Sequence, residues 1–193
     1  LPILPSGGQS AWKNPYQDVT DSSSYYEAVR YVTEKGLMNG TSASTFSPDA
    51  AMTRAMMVTI LWRMEKEPAA LRSNFMDLTA DWYRTAVDWA AETGVVNGVG
   101  NGKFAPQKNI TRQEAASMLY RLGVLNKNVK NDVNDRLPHV FADGEKIRSW
   151  ARSDINWVYR QGIMNGTGSN QFTPDGAYTR EQSIATMLRL YDT

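Results

Sequence analysis

Three arginines stand at one register of this chain, each behind a threonine, at Thr53-Arg54, Thr111-Arg112 and Thr179-Arg180. Threonine is a good helix N-cap, so the pattern places each arginine in the first turn of a helix. There a cation opposes the helix macrodipole, at a cost of roughly 0.3–1 kcal/mol where exposed. Such a placement made three times calls for a reason. Free N–H groups at a helix start, joined to a guanidinium fork, make a receptor for a carboxylate or phosphate. The competing reading is structural: each arginine pairs with a nearby acid, such as Asp18, Asp77 or Asp143. Residue types alone leave both readings open.

The arginines belong to a longer recurring pattern. Gly36-Leu37-Met38-Asn39-Gly40, Gly94-Val95-Val96-Asn97-Gly98 and Gly162-Ile163-Met164-Asn165-Gly166 are one pentapeptide, and each leads to a Phe-x-Pro at Phe46, Phe104 and Phe172. From motif Asn to motif Arg the step is 15 residues in every copy. An aromatic-x-Asp opens each copy, at Tyr16/Asp18, Phe75/Asp77 and Phe141/Asp143. A fixed register of this kind is the mark of a repeat architecture. The boundaries that follow are a linker or cut end over 1–15, then repeats over 16–74, 75–140 and 141–193. The glycine-to-glycine spacing is 58 residues between the first two copies and 68 between the last two. The extra length falls in the polar stretch 126–138, which reads as an exposed loop.

Two helices per repeat position these residues, and the fold class is all-α. The first helix carries an apolar stripe, Tyr25/Val29/Val32, Tyr83/Val87/Ala90 and Ala151/Ile155/Val158, and stops at the motif glycine. The second starts at Thr-Arg and buries Val58/Leu61/Trp62, Ala116/Leu119/Tyr120 and Ile184/Met187/Leu188. Thr111 with Glu114, and Thr179 with Gln182, fit a capping box, whereas Thr53 with Met56 keeps only the cap. A unit of this size cannot cover its own apolar surface, so the three are expected to pack as one body.

Composition narrows the function. Net charge is +1, which gives no field for nucleic acid, and cysteine is absent, which removes disulfides and thiolate metal sites. No apolar run approaches the roughly 20 residues of a membrane span. The glycine-rich Gly98–Lys103 follows a helix and ends at Phe104, where a P-loop needs Ser or Thr. His139 is the single histidine, and the loops lack the alternating carboxylates of a calcium site, so no metal or cofactor is expected. Among carboxylates only Asp18, Asp77 and Asp143 recur with the repeat, which gives little ground for catalysis.

Other candidates divide by position. Tyr31, Trp89 and Trp157 share a mid-helix place and read as core. Trp82 and Trp150, at helix starts, suit either core or the aromatic wall of a sugar groove. Asn39, Asn97 and Asn165 suit the turn, where Asn tolerates left-handed backbone, with a sugar contact as the second option, and Asp18, Asp77 and Asp143 are secondary candidates for ligand contact.

Together the aromatic-x-Asp, the Trp, Gly-x-x-Asn-Gly, Phe-x-Pro and Thr-Arg-x-Glu resemble the S-layer homology repeat in triplet form, over about residues 16–191. The resemblance implies a pseudo-threefold, three-pronged helical body with grooves between repeats. It also implies non-covalent binding of an acidic secondary cell-wall polysaccharide, typically one bearing pyruvate ketals on amino sugars. The chain would then be part of a larger extracellular protein of the cell envelope, tethered by a module without enzymatic activity. Arg54, Arg112 and Arg180 match the family's ligand-contacting arginine and are expected in the grooves, partly accessible to solvent. The second reading is a structural module joining protein subunits of a surface layer. The chain departs from the pattern at Ser24, which replaces the Trp, at Thr53-Arg54-Ala55-Met56, and at Thr179-Arg180-Glu181-Gln182. The three grooves are therefore not expected to be equivalent.

Overall fold

The computed structural model describes residues 12–127 and 141–192. Within them lie six α-helices: α1 Tyr26–Glu34, α2 Arg54–Met64, α3 Asp81–Glu92, α4 Arg112–Lys127, α5 Arg152–Arg160 and α6 Arg180–Asp192. Short 3₁₀ turns at Gly144–Lys146 and Ser149–Ala151 precede α5, and the described residues contain isolated β-bridges but no strand. Residues 126 and 127, assigned from sequence to the polar loop, continue α4 instead. The apolar stripe of α4 holds Leu122 in the core, and the helix runs about one turn past it before the loop begins. The rest of that loop, His139 and the first eleven residues lie outside the described residues.

Each motif glycine ends a helix as expected. Gly36, Gly94 and Gly162 have φ of +65°, +76° and +69°, a left-handed geometry that costs glycine nothing. After α1 the N–H of Leu37 donates to Val32 and that of Gly36 to Thr33, the paired bonds of a Schellman cap, and α5 ends in the same way. The second glycine of the motif has a different task. A Cβ on Gly98 would stand 2.7 Å from the Phe75 ring and 2.8 Å from the Lys103 carbonyl. The loop can fold back only because that atom is missing.

The repeats interlock rather than standing as separate beads. Helix α2 packs on α3, α4 packs on α5, and α6 returns to α1, so the second helix of each repeat lies against the first helix of the next. Between the helices three backbone bonds close a cycle: Met52 N–H to Tyr178, Tyr178 N–H to Ile110, and Ile110 N–H to Met52, at 2.8, 3.2 and 3.0 Å. All three residues are buried. They stand two before the arginines, so the closed ring fixes where every second helix starts.

The apolar stripes face the core. Val29, Val58, Leu61, Tyr83, Val87, Leu119, Ile155, Val158 and Ile184 are all fully buried. Trp89 is buried, and Tyr31 and Trp157 pack half-buried against the same core, as their mid-helix positions required. Leu119→Ala is expected to cost about 2–5 kcal/mol, and Val87→Ala somewhat less, measured by denaturant unfolding. A change within error would mean that these faces are not packed.

Candidate ligand-binding site

The site is built at the start of α2, α4 and α6, where one repeat meets the next. Thr53, Thr111 and Thr179 cap these helices, their hydroxyls accepting from the N–H of Met56, Glu114 and Gln182. Only Glu114 returns the bond, accepting from the Thr111 N–H at 3.1 Å. Gln182 was expected to do the same, but its side chain turns to Arg112 instead.

Each arginine crosses into the following repeat. Arg54 donates from Nε to the Phe104 carbonyl (2.8 Å) and from Nη2 to that of Asn97 (2.7 Å). Arg112 makes the same bonds to Phe172 and Asn165, at 2.8 and 2.7 Å. Arg180 closes the cycle to Phe46 (2.9 Å) and Asn39 (2.5 Å). Each guanidinium carbon also stands 4.7–4.8 Å over the ring of the same phenylalanine, a cation–π contact. The side chain therefore clamps both ends of the loop between motif Asn and Phe-x-Pro.

This geometry corrects one expectation. Arg54, Arg112 and Arg180 are only 6, 5 and 5% exposed, not partly open to solvent as whole side chains. The carbonyls they satisfy lie inside the junction, and reaching them draws the aliphatic stem and most of the fork under the neighbouring loop. The structural alternative fails in its own terms too. Among the described residues none of the three forms an ion pair. Burial lowers each guanidinium's pKa, and the cation stays without a contacting counter-ion.

The motif aspartates serve the loop of their own repeat. Asp18 accepts from the N–H of Phe46 and Ser47 (2.8 and 2.7 Å), Asp77 from Phe104 and Ala105 (2.9 and 2.8 Å), and Asp143 from Phe172 and Thr173 (both 2.8 Å). Desolvation raises the pKa of Asp18 and Asp77, but these backbone donors outweigh it and the net shift is downward. Ser47, Ala105 and Thr173 carry φ of +57°, +59° and +56°, a strained conformation made harder by the proline that follows. The two-pronged carboxylate holds them there. Sequence reasoning missed this role, because acid and loop are 27–30 residues apart and no local pattern joins them.

Asn39, Asn97 and Asn165 lack the left-handed backbone expected of them, which belongs to the preceding glycines. The turn already has its glycines, so the asparagines contribute carbonyls to the arginines. Their own side chains are exposed, and their amides bond to no described residue. Trp82 and Trp150 are half out of the protein, at 51 and 52% exposure, which settles against a core role. Each junction thus brings together a buried cation and a free amide, and the second and third repeats each expose an indole.

The junctions differ in detail. Gln113 donates to Asp175 at 2.6 Å, whereas the matching positions in the next junction are Glu181 and Asp49. Desolvation, with Asp49 adding to it, raises the Glu181 pKa. Glu181→Gln should recreate the Gln113–Asp175 bond and add about 0.5–1.5 kcal/mol at pH 7. A raised carboxyl pKa means that ionisation opposes folding, so this gain should shrink as pH falls through the Glu181 pKa. Equal melting temperatures at pH 7 would overturn the equivalence.

Among the described residues no cluster of His, Asp or Glu could hold a metal, and no helix is long and apolar enough to cross a membrane. Known proteins share this sequence pattern. An endoglucanase from Bacillus sp. (strain KSM-635) is 32% identical over 90% of this chain and 19% of its own length. The surface-layer 125 kDa protein of Lysinibacillus sphaericus is 30% identical over 84% of this chain and 14% of its own. The cellulosome-anchoring protein of Acetivibrio thermocellus is 28% identical over 62% and 29%. This chain thus spans less than a third of each of these relatives. Residues 15–56, 74–116 and 140–182 each match the S-layer homology domain. The chain, with its interlocked junctions and their three arginines, belongs to the S-layer homology domain family.

Proposed function

We propose that this chain is a non-covalent anchoring module that tethers a larger surface protein to the cell envelope by binding an acidic wall polysaccharide. The observation that carries the reading is the set of three buried guanidinium groups at helix N-termini, none of them paired with a carboxylate. A cation withdrawn from water in this way gains from an anion placed at its edge. A pyruvate ketal on an amino sugar supplies one compact carboxylate fixed beside a sugar ring. In this reading Arg54, Arg112 and Arg180 are the cations that can address the carboxylate, each where its groove admits one, while Asn39, Asn97 and Asn165 offer free amides to the sugar. Trp82 and Trp150 offer faces on which a ring can stack, and Asp18, Asp77 and Asp143 keep the loops in place. The cyclic order of contacts suits the pseudo-threefold, three-pronged body with grooves between its prongs.

The proposal involves no catalysis. The endoglucanase relative is matched over 19% of its length, and the activity in its name is that of the whole protein. Relatives named as a surface-layer protein and as a cellulosome-anchoring protein support the tethering role. Several modest contacts acting together give a useful hold without covalent attachment. The test is co-sedimentation with purified wall polysaccharide, with peptidoglycan freed of it, and with the protein itself. Capture by the polysaccharide alone supports the reading. Capture by the protein itself would favour a module that assembles surface-layer subunits, and no capture would remove both.

A further inference from the structure

The three arginines are alike in what they hold and unlike in what they leave free. Nη1 of Arg112 donates to the side-chain carbonyl of Gln182, at 2.9 Å. Nη1 of Arg54 and of Arg180 bonds to no described residue, and neither atom is among the enclosed nitrogens that lack a partner. Each therefore keeps some accessible surface, although the residue as a whole is more than nine-tenths buried.

The difference traces to one position. Gln182 stands two residues beyond the arginine of the third repeat, so the residue facing each arginine comes from the start of the next second helix. The same register would set Glu114 against Arg54 and Met56 against Arg180. Burial lowers the Arg54 pKa and the negative charge of Glu114 opposes that shift, in keeping with the two groups lying near each other. Its carboxylate is engaged elsewhere, accepting from Lys108 at 2.8 Å and from the Thr111 N–H at 3.1 Å, and it forms no ion pair with Arg54. Met56 has no acceptor strong enough to claim a guanidinium N–H.

We infer that the residue two beyond each arginine decides whether the preceding groove can take an anion: Gln182 closes the Arg112 groove, while Glu114 and Met56 leave the Arg54 and Arg180 grooves open. This rests on the anion-binding reading above. A neutral amide oxygen on Nη1 occupies the donor edge that a carboxylate needs, and an incoming ligand must first displace it. Chain connectivity holds that competitor in place, which gives it a high effective concentration. The ligand class is a carboxylate-bearing sugar, and the chain offers it two sites rather than three.

The measurement is calorimetric titration of the whole chain with a pyruvylated amino-sugar fragment, reading stoichiometry. Wild type is expected to bind two equivalents. Gln182→Met copies the first repeat into the third and should add a third site. Met56→Gln copies the third into the first and should leave one, with affinity at the altered groove down about tenfold or more. The two variants move the count in opposite directions, so loss of fold in one cannot imitate the result, and melting curves check both. Three equivalents in wild type, or a count unmoved by either variant, would overturn the inference while leaving the anchoring reading standing. No binding by wild type would overturn both.

Discussion

Arg112→Ala is expected to lower stability by about 2–4 kcal/mol, and the melting temperature by roughly 5–15 °C. Removing the side chain strips the Phe172 and Asn165 carbonyls of their donors, the first of them in a buried residue. An orphaned buried acceptor costs about 1–3 kcal/mol. The contact over the Phe172 ring is lost as well. Against this, removing a cation from the first turn of α4 returns only about 0.3–1 kcal/mol from the dipole. The loss wins. Arg112→Lys should recover a minor part, because one ammonium cannot span two carbonyls and a ring. An arginine lying open in a groove, as the resemblance implies, would instead weaken glycan binding when removed and spare the fold. The burial of Arg112 reverses that order, and an unchanged melting temperature would restore it.

Asp77→Ala should cost a similar amount, about 2–4 kcal/mol. Its carboxylate accepts two charge-assisted bonds that fix Ala105 in the left-handed region. Such bonds contribute about 1.5–3 kcal/mol each, less where water can replace them, as it can at this half-buried loop. Asp77→Asn keeps one acceptor and should fall between. The pH dependence has a definite sign. The folded pKa lies below the unfolded value of about 3.9, so the stabilisation is complete above that value and is lost as pH falls through the folded one. Denaturant unfolding should show a constant gap between wild type and Asp77→Ala from pH 6 to 8, closing on acidification below about pH 4. A gap that stays open at low pH would mean that the carboxylate's charge has no part in holding the loop.

Much of this was legible in the residues because it is local. Helix starts, glycine stops and apolar stripes depend on spacings of a few positions, and Thr53, Gly94 and Val87 all stand where those spacings put them. Even the inequality of the junctions could be read from Met56, Glu114 and Gln182, though not the bond that makes it. What the sequence hid was long-range. Arg180 and Phe46 are 134 residues apart, and nothing in either neighbourhood says that they meet. Spacing placed the arginines at helix starts without revealing that the next repeat's loop would fold over them. Burial is a property of the closed ring, not of the Thr-Arg motif. The aspartates misled for the same reason: a carboxylate near a recurrent cation suggests an ion pair, whereas Asp18, Asp77 and Asp143 satisfy backbone donors instead.

In the proposed function, buried cations at the open repeat junctions receive a sugar-borne carboxylate. Its most direct test is to titrate the intact chain with a pyruvylated amino-sugar fragment and with the same fragment lacking the ketal. The ketal fragment should bind saturably, and its removal should weaken binding about tenfold or more, as expected for losing a charge-assisted bond. Raising salt should reduce that affinity only moderately, since the donor edge lies in a junction largely shielded from counter-ions. Equal affinity for both fragments, or no binding of either, would contradict the account and leave the three arginines as clamps alone.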